Sequence, residues 1–302
     1  HSRESHKLAK QLEAKRESAD HAQPRAALPD FVRMLMRPGY YVSVDGREPG
    51  EGSPLLRTVR GDLLPAQSEP LVGASQLHGT LVDATSTAQL ALVYRAGAPS
   101  FTRDAMSGAL QRAEALPLLQ PLYVTEEVVR DRQREYRVTQ DGRVVPADAL
   151  RFVPQPARPP FVPAGARYIA IQLSTQTLVA YDGTTPVYAT LVSTGKTDHE
   201  TPTGIFRIQH KHVSITMDGE VGSDDAYRIE DVPWTMYFSG SLALHAAFWH
   251  ERFGRPRSHG CVNLAPLDAR WLFEWAGPTL PLGFHGVVAT RDNPGTFVVI
   301  TP

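Results

Sequence analysis

Pro154, Pro156, Pro159, Pro160 and Pro163 fall within ten residues near the middle of this 302-residue chain. Proline fixes φ and donates no amide, so neither a helix interior nor a central strand runs through such a stretch. It reads as a stiff, extended linker. The chain is thereby divided into an N-terminal region, residues 24–160, and a C-terminal region, residues 161–302. One or two domains with ample core are expected at this length. Both regions consist mainly of short apolar segments broken by Pro (25) and Gly (23). That composition favours a mainly β architecture with many turns.

Residues 1–23 are set apart by their polarity: Lys7, Lys10, Glu13, Lys15, Arg16, Glu17 and Asp20, with only Leu8 and Leu12 at helical spacing. They read as a polar linker or short helix with too little apolar surface to anchor a core. The chain opens on His1 rather than Met, and the expectation is a mature or trimmed form whose export signal has been removed. Net charge is -1, which argues against a broad electrostatic grip on nucleic acid or anionic membrane. No apolar run approaches the ~18 residues of a membrane span.

In the N-terminal region, strand signals are Tyr40–Val44 before Asp45-Gly46, Gln89–Tyr94, and Arg134–Thr139 before Asp141-Gly142. Asp-Gly between such runs predicts a tight hairpin. A helix is expected from Thr102 or Arg103 through Leu110 to Ala115. Gly61-Asp62-Leu63-Leu64-Pro65-Ala66 echoes Gly142-Arg143-Val144-Val145-Pro146-Ala147. This is either turn chemistry used twice or one hairpin edge in two small barrels, and turn chemistry is preferred. His78 and Asp83 read as surface or structural residues.

The C-terminal region predicts strands over Tyr168–Leu173, Gln176–Tyr181, Val187–Ser193, Gly204–Ile208, Gly286–Ala289 and Thr296–Ile300. A turn is expected around Asp182-Gly183. One helix begins at Pro266, which suits a first helical turn, and stops at Gly277-Pro278. Its predicted face is Leu267, Trp271, Leu272 and Trp275.

The chain's single cysteine lies just before that helix, in Arg257-Ser258-His259-Gly260-Cys261-Val262-Asn263. One cysteine forbids an internal disulfide. A thiol near its ordinary pKa of ~8.5 needs a base or a positive field to act as a nucleophile. His259 lies two positions away, and His245, 16 positions upstream, ends the run Leu242-Ala243-Leu244. Gly260 permits a backbone conformation in which its amide and that of Cys261 converge as an oxyanion hole. Ser258 and Asn263 can brace the loop. The N-terminus of the following helix favours negative charge close to the thiol.

Ser-His-Gly-Cys-x-Asn with an upstream His resembles the L,D-transpeptidase family, the YkuD-type catalytic domain. The resemblance covers about residues 165–302. It includes Gln172–Leu178, similar to the family's opening hairpin, and Ser193-Thr194-Gly195-Lys196 followed by Thr201-Pro202-Thr203-Gly204-Ile205-Phe206. It implies a C-terminal β-sandwich with a helix after the cysteine loop, preceded by an N-terminal β-rich accessory domain. Cys261 is then the nucleophile, His245 the base, and the carbonyl of Ala246 the group that orients the base. Backbone amides of His259, Gly260 and Cys261 form the oxyanion hole, and Tyr227 lines the site. Met217 with Asp218, Trp234, Met236 to Phe238, and Phe248 with Trp249 and His250 supply walls. Trp249, Met217, Arg255 and Arg257 are candidate substrate contacts.

The implied reaction is acyl transfer on peptidoglycan stem peptides, with no metal and no cofactor, outside the cytoplasmic membrane in the periplasm or cell envelope. A carboxypeptidase or D-amino-acid exchange would share the same acyl-enzyme. Two readings of other classes stand beside it. His210, His212, His245, His250 and His259 raise a metal hydrolase, although no His-Glu-x-x-His or Cys-x-x-Cys motif is present. A non-catalytic wall-binding protein is the other, and residues 24–160 are candidates for binding the wall or an envelope protein partner.

Overall fold

In the computed structural model, which describes residues 36, 40–66, 72–73, 75–131, 133–219 and 227–302, the runs after residue 166 build two facing sheets. Their strands are β1 (Arg167–Gln172), β2 (Thr177–Asp182), β3 (Thr185–Leu191), β4 (Gly204–Arg207), β5 (His210–Gly219), β6 (Tyr227–Ser239), β7 (Leu242–Ala246), β8 (Val262–Leu264), β9 (Gly286–Val288) and β10 (Phe297–Thr301). The first sheet runs β4–β10–β1–β2–β3, and the second β8–β7–β6–β5–β9. Within these sheets only β1 with β10 and β7 with β8 pair in parallel. The polar segment expected over residues 1–23 lies outside the described residues.

Strand side chains alternate between faces, and the two sheets bury their matching sets against each other. Ile169, Ile171, Leu178, Ala180, Val298 and Ile300 of the first sheet meet Met236, Phe238, Leu244, Ala246, Val262 and Leu264 of the second. Full burial of each large side chain contributes ~1.5–3 kcal/mol. The chain is mainly β, with one α-helix among the described residues, α1 (Pro266–Trp275). Pro266 does occupy the start of α1, but its buried residues are Asp268, Ala269, Leu272 and Phe273. Leu267, expected on the apolar face, is exposed. The helix is rotated because Asp268 is drawn inward: its carboxylate accepts from Gly79 N (2.6 Å), the Tyr188 hydroxyl (2.6 Å) and the Thr190 hydroxyl.

The outer face of the first sheet carries Tyr168, Val179, Tyr181, Ala189, Leu191 and Val299. These pack against Leu90, Leu92, Leu119, Val153 and Val162 of the preceding region. That region holds a seven-stranded sheet, whose strands lie between Gln89 and Phe152, and a three-stranded meander of Val44–Glu48, Leu55–Thr58 and Leu63–Pro65. A short strand, Thr80–Leu81, joins the edge of the first sheet beside β3.

Three local expectations change. The helix expected near Thr102–Ala115 is a hairpin of Ala98–Arg103 and Leu110–Leu116. Asp104 Oδ1 accepts from the amides of Met106 and Ser107, and Gly108 takes φ +70°, so side-chain turn chemistry outcompetes a weak helical pattern. Asp45-Gly46 is a β-bulge inside a strand, not a hairpin turn, with the register shifting between Val44 and Gly46. The hexapeptide echo is one turn used twice. Thr58 N donates to Asp62 O and Thr139 N to Arg143 O, both at 2.8 Å. Gly61 and Gly142 follow at φ +85° and +83°.

Candidate active site

The parallel pairing of β7 with β8 brings the two halves of the motif together. Leu244 pairs with Val262 and His245 with Asn263, so the segment ending in His245 runs beside the one leaving Cys261. A parallel pair of neighbouring strands needs a crossover, and residues 247–261 supply it. The SHGC loop is held by its own side chains. Ser258 Oγ donates to Cys261 O and accepts from Gly260 N at 3.1 Å. Thr201 Oγ1, from the Thr-Pro-Thr-Gly segment, donates to Gly260 O at 2.8 Å and accepts from Gly195 N at 2.8 Å. Gly260 takes φ +109°, and an added Cβ would come within 2.9 Å of Leu242 Cδ2. Only glycine fits there.

His245 is 3% exposed. Its Nδ1 lies 3.0 Å from the carbonyl oxygen of Ala246, its own chain neighbour. A carbonyl only accepts, so Nδ1 carries the proton and Nε2 keeps a lone pair. Burial pushes the imidazole down to about 4, against the opposing pull of that carbonyl. Burial also raises the Cys261 thiol, opposed by the Ala243 amide. Both groups are therefore neutral at pH 7 in the free protein, a thiol and an imidazole rather than an ion pair. The thiol makes a weak contact to Ser241 O at 3.8 Å. β8 intervenes between Cys261 and α1, whose first turn holds the buried Asp268.

Cys261 opens into a cleft of about 350 Å³, lined also by His199, Thr216, Met217, Asp218, Gly219, Tyr227, Tyr237, Ser241, Leu242 and His259. Six predicted residues meet here: Cys261, His259, Tyr227, Met217, and the expected wall residues Asp218 and Tyr237. The rings of Tyr227 and His259 stack at 5.3 Å, and His199 meets His259 edge-on at 4.7 Å. His199 and Ser241 were not singled out from sequence. Polar aromatic and hydroxyl residues on strands and loops carry no spacing signal of their own.

Other predicted residues stand behind the cleft. Trp249 stacks on His245 with ring centres 5.8 Å apart. Arg255 lies over the Tyr94 ring at 5.8 Å, and the Arg257 amide donates to Thr194 O at 2.7 Å. None of the three lines the cleft. Asn263 exchanges backbone hydrogen bonds with Ser193, and its carboxamide lies 3.1 Å from the ring of buried His250. It braces the crossover rather than the thiol. Met236 and Phe238, expected as walls, are core residues. Among the described residues no group of three or more His, Cys, Asp or Glu is placed to hold a metal ion. His210 and His212 meet each other, ring nitrogen to ring nitrogen at 3.0 Å. No helix among the described residues is long and apolar enough to cross a membrane.

Comparison with known proteins bears directly on this arrangement. Residues 166–300 match the family model of YkuD, the L,D-transpeptidase catalytic domain. The match takes in both sheets, α1, His245 and Cys261. L,D-transpeptidase 2 of Mycobacterium tuberculosis (strain CDC 1551 / Oshkosh) is 32% identical over 90 residues, 27% of this chain. The chain spans about a fifth of that relative's length (22%). Among solved structures, an Enterococcus faecium L,D-transpeptidase mutant is 22% identical with a TM-score of 0.37, covering 46% of this chain and 50% of that one. L,D-transpeptidase 3 of Mycobacterium tuberculosis is 17% identical with a TM-score of 0.39, covering 60% and 79%. An L,D-transpeptidase from Mycobacterium smegmatis is 16% identical with a TM-score of 0.38, covering 86% and 99%.

Proposed function

We propose that this cleft is the acyl-transfer site of a peptidoglycan L,D-transpeptidase with Cys261 as nucleophile. The observation that carries the reading is the parallel register of β7 and β8, which sets the strand carrying His245, its tautomer fixed by Ala246 O, beside the segment that leaves the cleft-lining Cys261. In this reading the YkuD domain takes a tetrapeptide stem into the cleft. His245 Nε2 accepts the thiol proton as Sγ attacks the carbonyl of the stem's third residue, a diamino acid. The imidazolium then returns that proton to the departing amine of the terminal D-Ala, leaving a thioester. The side-chain amine of a second stem attacks the thioester, its proton passes by way of His245 to Sγ, and a 3→3 cross-link results.

Developing charge on the carbonyl oxygen needs a fixed donor. Since the Gly260 amide already donates to Ser258 Oγ, the Cys261 amide is the one of that pair assigned to the oxyanion. Neutral ground states suit this chemistry. Charge separation occurs only as the substrate displaces water from the cleft, so the proton transfer is coupled to attack. His259, Tyr227 and Met217 line the path to the thiol and are assigned to stem binding. The site of action is the periplasm or cell envelope, where such stems are found.

The test is intact-protein mass spectrometry after incubation with defined tetrapeptide muropeptides, beside Cys261→Ala and His245→Ala, with product analysis. A thioester on the native protein but not on Cys261→Ala, with stem dimers formed, supports the transpeptidase. Acyl-enzyme with only tripeptide released makes it a carboxypeptidase. Neither adduct nor product from folded protein removes the assignment and leaves a wall-binding role.

A further inference from the structure

The N-terminal meander and the segment just before it each touch elements around the candidate active site, and the meander does so where the cleft wall is kinked. The hairpin of β5 and β6 carries Thr216, Met217, Asp218, Gly219 and Tyr227 into the cleft. Its register is regular from His210–Tyr237 and again from Met217–Ile229, but shifts between Ile215 and Met217. Asp231, on the facing strand, takes φ +51°. An extra residue of this kind bends a hairpin and re-aims everything beyond it. Here the part beyond the kink is the cleft wall.

Arg60 grips both strands at that kink. Its Nη2 donates to Thr216 Oγ1 on β5 at 3.2 Å, and its Nε lies 3.5 Å from Glu230 Oε1 on β6. The Glu230 side chain is 3% exposed. Arg228 also approaches it, at 3.7 Å, and ties the same hairpin to Asp218 at 3.4 Å. A buried carboxylate is costly unless paired, so the hairpin is built around an anionic group that a neighbouring element must help to satisfy. The fork of a guanidinium can engage two acceptors at fixed angles, which an ammonium cannot. Arg60 is itself held at the tip of the meander, where its amide and that of Asp62 donate to Thr58 Oγ1 at 3.3 and 3.0 Å.

The second contact lies just before the meander. Tyr41 packs on Phe248 and Trp249, with ring centres 5.8 and 6.1 Å away, and Trp249 stacks on His245. Val59 N donates to Ser43 O at 3.0 Å, joining the tip to this segment.

We propose that Arg60 is a positioning residue for the acyl-transfer cleft, and that the meander braces the β5–β6 wall through the Arg60–Glu230–Thr216 contact. The inference rests on the function proposed above for its kinetic consequence, although not for its structural one. Arg60→Ala is expected to lower kcat/KM for the tetrapeptide stem about tenfold through KM, with kcat for bound substrate little changed. It should also increase hydrogen exchange over residues 210–219 and 227–239. Iodoacetamide, too small to need the wall, should alkylate Cys261 at a rate within about twofold of the native protein. Arg60→Lys, which keeps the charge but can engage only one of the two acceptors, should retain part of the exchange protection, and Arg60→Gln should retain less.

Unchanged exchange in the hairpin of a folded Arg60→Ala or Arg60→Gln protein overturns the proposal, whatever the activity. Should the alanine variant fail to fold, the lysine and glutamine variants give the same comparison. An inactive native protein whose hairpin is loosened by Arg60→Ala would remove the transpeptidase reading and leave the brace standing.

Discussion

Burial at Cys261 and His245 sets what each group does before substrate arrives. The thiol is raised above its usual range and the imidazole is lowered to about 4. Iodoacetamide alkylation of Cys261 in the free protein should therefore climb with pH into the alkaline range, with an apparent midpoint above that of an ordinary cysteine. A plateau already reached at pH 6 would mean a preformed thiolate–imidazolium pair and would contradict this arrangement. His245→Ala removes the only base argued to receive the thiol proton. Acylation by a stem peptide should then fall about 10²- to 10⁴-fold, measured as thioester formation in single turnover. Both residues were legible in sequence because chemistry leaves a short, rigid motif. The contact of His245 with Ala246 O was expected from the family resemblance. The engagement of the Gly260 amide by Ser258 was not, because hydroxyl direction depends on the loop's closed geometry.

At the level of elements, α1 shows how a helix can be placed by polar groups rather than by its apolar stripe. Its last turn is capped from another element. Lys211, on β5 and 1% exposed, donates through Nζ to Phe273 O at 2.6 Å and Ala276 O at 2.7 Å. Those carbonyls have no partner within the helix, and a cation there also meets the negative end of its dipole. Lys211→Met should destabilise the protein by about 2–4 kcal/mol, read from urea unfolding, because two buried carbonyls lose their donor. A change below 0.5 kcal/mol would show that water replaces the ammonium. The boundaries of α1 were legible from Pro266 and Gly277-Pro278, and most C-terminal strands from their alternation. Its rotation was not, since Asp268 and Lys211 find their partners on distant strands. The same limit explains the hairpin at residues 98–116, where Asp104 and Gly108 decided between two weak patterns.

For the whole molecule, buried histidines and one buried aspartate contribute to the response to acid with opposite signs. His245 and His250 are both lowered to about 4, so between about 6.5 and 4 the unfolded chain binds protons that the folded chain refuses. Stability therefore rises with pH across that window and falls as pH drops through it, by a few kcal/mol in all as an order of magnitude. Asp268 acts in the opposite sense. Burial raises its pKa, so the folded state takes up its proton first and acidification favours folding there. Unfolding free energies from pH 7 to 4 should fall less steeply in His250→Gln than in the native protein, and equal slopes would show that His250 plays no part. Asp268 also ties Gly79, at the start of the joining strand, to α1. Asp268→Ala leaves three buried donors unmet and should cost about 3–5 kcal/mol in denaturant unfolding, with a loss under 1 kcal/mol counting against this role. By itself the sequence determined the β-rich class and the ends of α1, and it singled out Cys261 and His245 as the candidate nucleophile and base. These depend on backbone restrictions and on side chains close in the chain or in one motif. Tertiary structure alone decided that His199 and Ser241 join the cleft, that Arg255 and Arg257 do not, and that Arg60 reaches Glu230. Such contacts are set by sheet order and register between segments apart in the chain, by 156 residues for Arg60 and Thr216, where no local preference acts.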